Sequence, residues 1–280
     1  MPRCKLGFHV RCEYVRRAKS GLKGRAAEEY TTLAVRTSTQ PWTSNATVTG
    51  QHALESAPWG YIGMPLAVLH LVPFAGVADS VSVDMSSSGS FGNLSAFPAT
   101  SDGFFNSGEL RYNLDGVVMR HGIEWHTQLF RNGSIEHVTT DFFDQDIQLS
   151  YLDAWSYQID VLRVMQRCFK LQQSLGIVPP VVVMLSILNV TDFRLRTSEG
   201  NPVHGRALSK HQIDRDKLFL PDVVFNDFDA DLTATMKPSF DCLWNAAGEE
   251  KCKFYRMNGK WKIEPGWLDP PTAPRTFPVS

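Results

Sequence analysis

The residues best suited to chemistry lie between positions 126 and 146: His126, His137, Asp141, Asp144 and Asp146. Imidazole beside carboxylate is the composition of a general-base pair or a metal site. The two histidines flank Asn132-Gly133, with apolar runs over 125–131 and 134–140 on either side. Asn-Gly supplies the positive φ angles of a two-residue type I′ hairpin turn. That register sets Phe130 opposite Ile135, Gln128 opposite His137 and His126 opposite Thr139, and makes His126 and His137 diagonal neighbours on one face. A hydrolase using His126, His137, Asp141 and Asp144 is one candidate. The other reading has the histidines packing at a sheet rim and the aspartates forming a solvated loop before the next helix. No third histidine stands at ligand spacing, so no metal is expected. The same register puts Arg131 opposite Ser134 and Glu136 opposite Leu129, as a cross-strand ion pair or part of a polar site. With Asp115, and with Asp214 and Arg215 from the polar stretch 197–216, they are candidates for contacting a ligand or partner.

Other motifs fail on their spacing. Gly200 and Gly205 match a phosphate loop, but Arg206-Ala207 follows where Lys and Ser/Thr are needed. Asp227, Asp229 and Asp231 open like a calcium loop, then place Leu232 and Pro238 where Gly and Glu belong; they read better as acidic caps of a helix. There is no GxGxxG and no GxSxG elbow, and no cofactor is expected. Cys4, His9 and Cys12 lack a fourth ligand. Cys168 and Cys242 fall among apolar helical residues and read as structural thiols.

The elements that must position these residues follow from periodicity. Leu66 to Phe74 is a buried strand, and Tyr112 to Arg120 a second one. Asp153 to Leu175 repeats apolar residues at helical spacing, with Asp153 as N-cap and Gly176 at the end. Val181 to Val190 is a buried strand, and Leu218 to Phe225 an edge strand interrupted by Pro221. Ala230 to Ala247 is a second helix that Pro238 is expected to kink or split. Asn258-Gly259 closes a small terminal hairpin. The order predicts an α+β fold: a mostly antiparallel sheet with two main helices packed on one face.

The chain has 280 residues, 43% apolar and 20% charged, a globular balance that excludes wholesale disorder and coiled coil. Residues 1–57 read as a basic, Ser/Thr-rich, poorly packed arm, 58–264 as the globular domain and 265–280 as a Pro-rich extended tail. Residues 1–36 carry a net +6 and the remainder a net −7. Arg11, Arg16, Arg17, Lys19, Lys23 and Arg25 are therefore the candidates for touching DNA, since phosphate binding draws on Lys and Arg. Five cysteines without a CxxC pair argue for reduced thiols, and no signal peptide or membrane span is visible, so the cytoplasm is the expected address and no membrane a partner.

Several phrases occur together: Leu69-His70-Leu71-Val72-Pro73, Arg111 to Gly116 (RYNLDG), Gln128 to Glu136 (QLFRNGSIE), Leu175 to Val181 (LGIVPPV), Ile213-Asp214-Arg215, Leu220-Pro221-Asp222-Val223, and Phe240 to Gly248. In this combination, residues 60–262 resemble the C-terminal region of bacterial proteins that begin with an AlbA-type (Schlafen-like) DNA-binding domain. The N-terminal domain of such proteins is not recognisable in residues 1–57, which leaves two expectations open, a truncated member or a wrongly placed start. The resemblance supplies no catalytic residue. Three functions stay open: a non-catalytic accessory or sensor domain for a partner protein or small ligand, a DNA-associated protein acting through its basic arm, and a metal-assisted hydrolase.

Overall fold

A computed structural model describes residues 63–77, 82–85, 109–145, 149–196 and 207–262. The arm over 1–57, the Cys4/His9/Cys12 group, the six candidate DNA-contacting cations, Asp146, the Gly200–Gly205 loop and the tail 265–280 lie outside them.

The fold is α+β. Its elements in chain order are β1 (Leu66–Pro73), a single turn α1 (Phe74–Val77), β2 (Glu109–Asn113), β3 (Gly116–His121), β4 (Trp125–Phe130), β5 (Ile135–Thr139), β6 (Phe143–Gln145), β7 (Ser150–Asp153), α2 (Ala154–Ser174), β8 (Val181–Leu188), β9 (Arg194–Arg196), β10 (Lys217–Phe219), β11 (Val223–Phe225) and α3 (Leu232–Ala246). The main sheet runs β10-β8-β1-β5-β4-β3-β2, with β11 also on β8, and every pairing in it is antiparallel. A second sheet, β6-β7-β9, delivers the chain into α2: Asp153 ends β7, and its carboxylate accepts from Ser156 N as the helix N-cap.

Alternation along the strands divides the main sheet into two faces. Ala67, Leu69 and Leu71 of β1 and Val181, Val183, Leu185 and Ile187 of β8 face α2 and α3, where Leu162, Met165, Phe169, Phe240, Leu243 and Trp244 complete the main core. Leu66, Val68, Val138 and Leu188, with Phe219, form a separate apolar cluster on the opposite face. Residues 157–162 of α2 are buried without a break, so this helix is enclosed on nearly all sides, and the apolar stripe in its sequence marks only one of its packed faces.

Three local expectations need correction. The segment 112–120 is not one strand but the hairpin β2–β3, turned at Leu114-Asp115, with Asn113 Oδ1 accepting from the N–H groups of Asp115 and Gly116. Of the kink or split expected at Pro238, the split does not occur: α3 is continuous through it. The lost backbone donor costs about 3 kcal/mol, and burial of Met236, Phe240, Leu243 and Trp244 on that helix offsets it.

The third correction is the β4–β5 turn. Gly133 takes φ +80, but Asn132 is not left-handed, so the two positive φ angles of a type I′ turn are absent. The loop closes over three residues: Phe130 N donates to Ser134 O at 2.8 Å and Gly133 N to Phe130 O at 2.9 Å. The register shifts by one, giving Leu129↔Ile135, Gln128↔Glu136, Thr127↔His137 and His126↔Val138. Asn258-Gly259 repeats this geometry, with Arg256 N donating to Lys260 O, Gly259 N to Arg256 O, and φ +77 at Gly259.

The turn is tied down from outside: Gln172 Nε2 of α2 donates to Gly133 O at 3.0 Å. A Cβ on Gly133 would stand 2.4 Å from Ile177 Cδ1. Gly133→Ala is expected to destabilise the protein by about 1–2 kcal/mol from the left-handed backbone alone. A urea midpoint equal to that of the unsubstituted protein would refute this account of the turn.

Candidate functional site

A one-residue shift in register moves every side chain of a strand to the other face. His137 therefore points toward the helices, and His126 points away from them; the structure separates the two histidines that the two-residue turn would have joined. It brings His126 together with Glu136 and with His70. Across the sheet, His70 on β1 lies directly opposite Glu136 on β5, which lies opposite Gln128 on β4. His70 Nε2 is 2.8 Å from one oxygen of Glu136, and His126 Nε2 is 3.6 Å from the other. Glu136 and His126 are 2% exposed, and the His70 side chain 13%.

Burial by itself pushes the Glu136 carboxyl up, because it penalises charge. The two facing imidazoles outweigh this and bring it down to about 2, His70 by hydrogen bond and charge and His126, at 3.6 Å beyond hydrogen-bond length, by charge, so the group is ionised. Gln128 continues the polar row toward the sheet edge. Its Nε2 donates to Leu129 O at 2.8 Å, and its Oε1 accepts from Asn113 Nδ2 at 3.0 Å.

His137 belongs to the core. Its Nδ1 is 2.8 Å from Thr127 Oγ1, and its ring lies 6.5 Å from that of Trp125. Burial, with the nearby His126 charge as a lesser cause, lowers it to about 3, so it is neutral.

The remaining candidates are dispersed. Asp141 is exposed, and its N–H is held by Thr139 Oγ1. Asp144 sits on the small sheet and accepts from Tyr151 OH at 2.5 Å. Arg131 and Asp115 do meet, but by backbone: Arg131 N donates to Asp115 O at 2.9 Å, while its Nε donates to Leu114 O at 3.0 Å. Arg131 thus pins two turns together and takes no part in the Glu136 cluster. Asp214 and Arg215 form an exposed pair of chain neighbours at 3.0 Å. Among the described residues, no three His, Cys, Asp or Glu side chains are grouped so as to hold a metal ion, and no helix is long and apolar enough to cross a membrane.

His70 is the member that sequence reasoning missed as a site residue. The available signal was its place in LAVLHLVP, one imidazole in an otherwise apolar strand; a buried polar residue is more informative than an exposed apolar one.

Acid sensitivity follows from these groups. His137 titrates near 6.5 when unfolded and near 3 when folded, so its contribution is complete above pH 6.5 and is lost as pH falls toward 3. Glu136 acts in the same direction between about pH 4.5 and 2. His137→Gln is expected to flatten the loss of urea stability between pH 6.5 and 4.5, where Glu136 is silent. An unchanged slope in that window would contradict the assignment.

Comparison of the chain with family models, with curated proteins and with solved structures finds no match in any of the three.

Proposed function

We propose that this chain is a non-catalytic accessory or sensor domain that binds a partner protein or small ligand, from the bacterial AlbA-type (Schlafen-like) proteins whose C-terminal region it resembles. The observation that supports this reading is the condition of Glu136. A general base needs a free lone pair within reach of a substrate proton. Glu136 is 2% exposed and already accepts from His70 at 2.8 Å. The cluster satisfies its charge internally, as a specificity-giving element of a sheet does. His137, neutral and facing the helices, is equally removed from any substrate.

A second reading, a DNA-associated regulatory protein, is supported by the net +6 of residues 1–36. It requires binding through Arg11, Arg16, Arg17, Lys19, Lys23 and Arg25.

The first reading is tested by assaying the purified full chain and its Glu136→Gln variant on ester, phosphodiester and peptide substrates, with and without added Zn²⁺ or Mn²⁺. No turnover above blank is expected from either protein. Turnover by the unsubstituted chain that Glu136→Gln abolishes, in a variant that still melts cooperatively, would overturn it.

A further inference from the structure

The terminal hairpin around Asn258-Gly259 combines an aromatic base with a charged, exposed tip. Tyr255 and Trp261 form its cross-strand bridge and stack edge to face at 4.7 Å. Phe254 joins them, packing on Trp244 at 5.1 Å and on Trp155 at 4.7 Å. Tyr255 OH donates to Thr233 O at 2.5 Å, which fastens the hairpin to α3. Above this base the chain turns outward. Residues 256–258 and Lys260 are exposed, and Met257 at the apex is 104% exposed.

Between 251 and 262 there are five cations, Lys251, Lys253, Arg256, Lys260 and Lys262, and no carboxylate, in a chain whose residues after position 36 carry a net negative charge. Of the adjoining carboxylates, Glu249 pairs with Lys253 and Asp241 with Lys237, while Glu250, beside Lys251, is exposed and in no ion pair among the described residues. Lys251, Arg256 and Lys260 are exposed and form no ion pair among the described residues. Arg256 and Lys260 also face each other across the turn, where Arg256 N donates to Lys260 O. Like charges directly opposite on paired chains are unfavourable in the free protein. An anionic partner removes that repulsion.

The shape selects among anionic partners. The tip is convex, so it suits a groove in the partner. A single small anion would need a concave cradle of donors. Insertion into a lipid interface is helped by exposed aromatics, and here Phe254, Tyr255 and Trp261 are all buried beneath the tip. A short two-stranded ribbon with flanking cations and an apolar apex fits a duplex groove, with phosphates on both sides and base or sugar surface against the apex.

We propose that the hairpin 251–262 is a nucleic-acid contact, with Lys251, Arg256 and Lys260 on phosphates of a duplex and Met257 directed into its groove. The inference goes beyond both readings: it adds a nucleic-acid partner to the non-catalytic domain of the first, and it uses a surface separate from the basic arm of the second.

The test is fluorescence anisotropy of a labelled DNA duplex with the full chain, between 50 and 200 mM KCl. Three proteins are compared: the unsubstituted chain, Arg256→Ala/Lys260→Ala, and Arg16→Glu/Arg17→Glu. The expected result is weaker binding by the hairpin variant, with the slope of log K against log salt reduced by about 2, since each phosphate left without its cation lowers that slope by roughly one. Met257→Ala should weaken binding and leave the slope unchanged. Equal melting temperatures establish that these exposed substitutions preserve the fold. The proposal is overturned if the hairpin variant binds like the unsubstituted chain, if only the arm variant loses binding, or if no protein binds the duplex. It is also overturned if phosphatidylserine vesicles or polyglutamate are bound as tightly and lose binding in the same hairpin variant. A blank in the turnover assays with no duplex binding would leave the binding-domain reading standing and remove this one.

Discussion

Glu136 is an ionised carboxylate near the middle of a β-sheet, and a charge placed there must be answered by its immediate neighbours. Taking a carboxylate out of water costs several kcal/mol even after the surroundings relax. Water does not provide the answer here, because the group is 2% exposed. It comes from His70 on one adjacent strand and from His126 on the other, where it lies two positions before the residue paired with Glu136. This requirement ties β1, β5 and β4 into one register, since a slip of either neighbour carries its imidazole to the opposite face. A slipped strand would displace its apolar residues to the wrong face and would in addition leave that buried charge uncompensated.

The same register depends on a turn that is itself held from outside. Arg131 bonds the β2–β3 turn, and Gln172 of α2 reaches the carbonyl of Gly133. The helix therefore contributes more than an apolar face to the core, because it fixes where the hairpin bends. Ionic chemistry within the sheet thus depends on contacts made well away from it. The charged surface is arranged differently: Arg120 with Glu109, Lys237 with Asp241 and Lys253 with Glu249 are paired, while the terminal hairpin keeps its tip cations unneutralised by the described residues, above an aromatic base. The first arrangement stabilises the fold, and the second presents a field to the outside.

Much of the architecture was legible in local pattern. The helix over 154–174, its Asp153 cap, the strand beginning at Val181, the edge position near Pro221 and the α+β class are all properties of short windows, where periodicity, capping and backbone restriction act directly. A split at Pro238, one of the two outcomes expected there, does not occur, for the converse reason. A local penalty of about 3 kcal/mol meets burial of Met236, Phe240, Leu243 and Trp244, which no window around the proline reports.

The candidate site was legible only in part. His126 and Glu136 could be named from the hairpin, but their partnership and the role of His70 could not. The sequence by itself determined that a hairpin forms at Asn132-Gly133, because Gly133 accepts a positive φ at no steric cost. Only the tertiary structure decided that the loop spans three residues, since two- and three-residue closures of the same dipeptide differ little locally. That difference of one residue sent His137 into the core and turned Glu136 toward His70, 66 positions earlier in the chain. Side chains so far apart in sequence meet through strand order and register, and those are settled by the packing of the whole sheet.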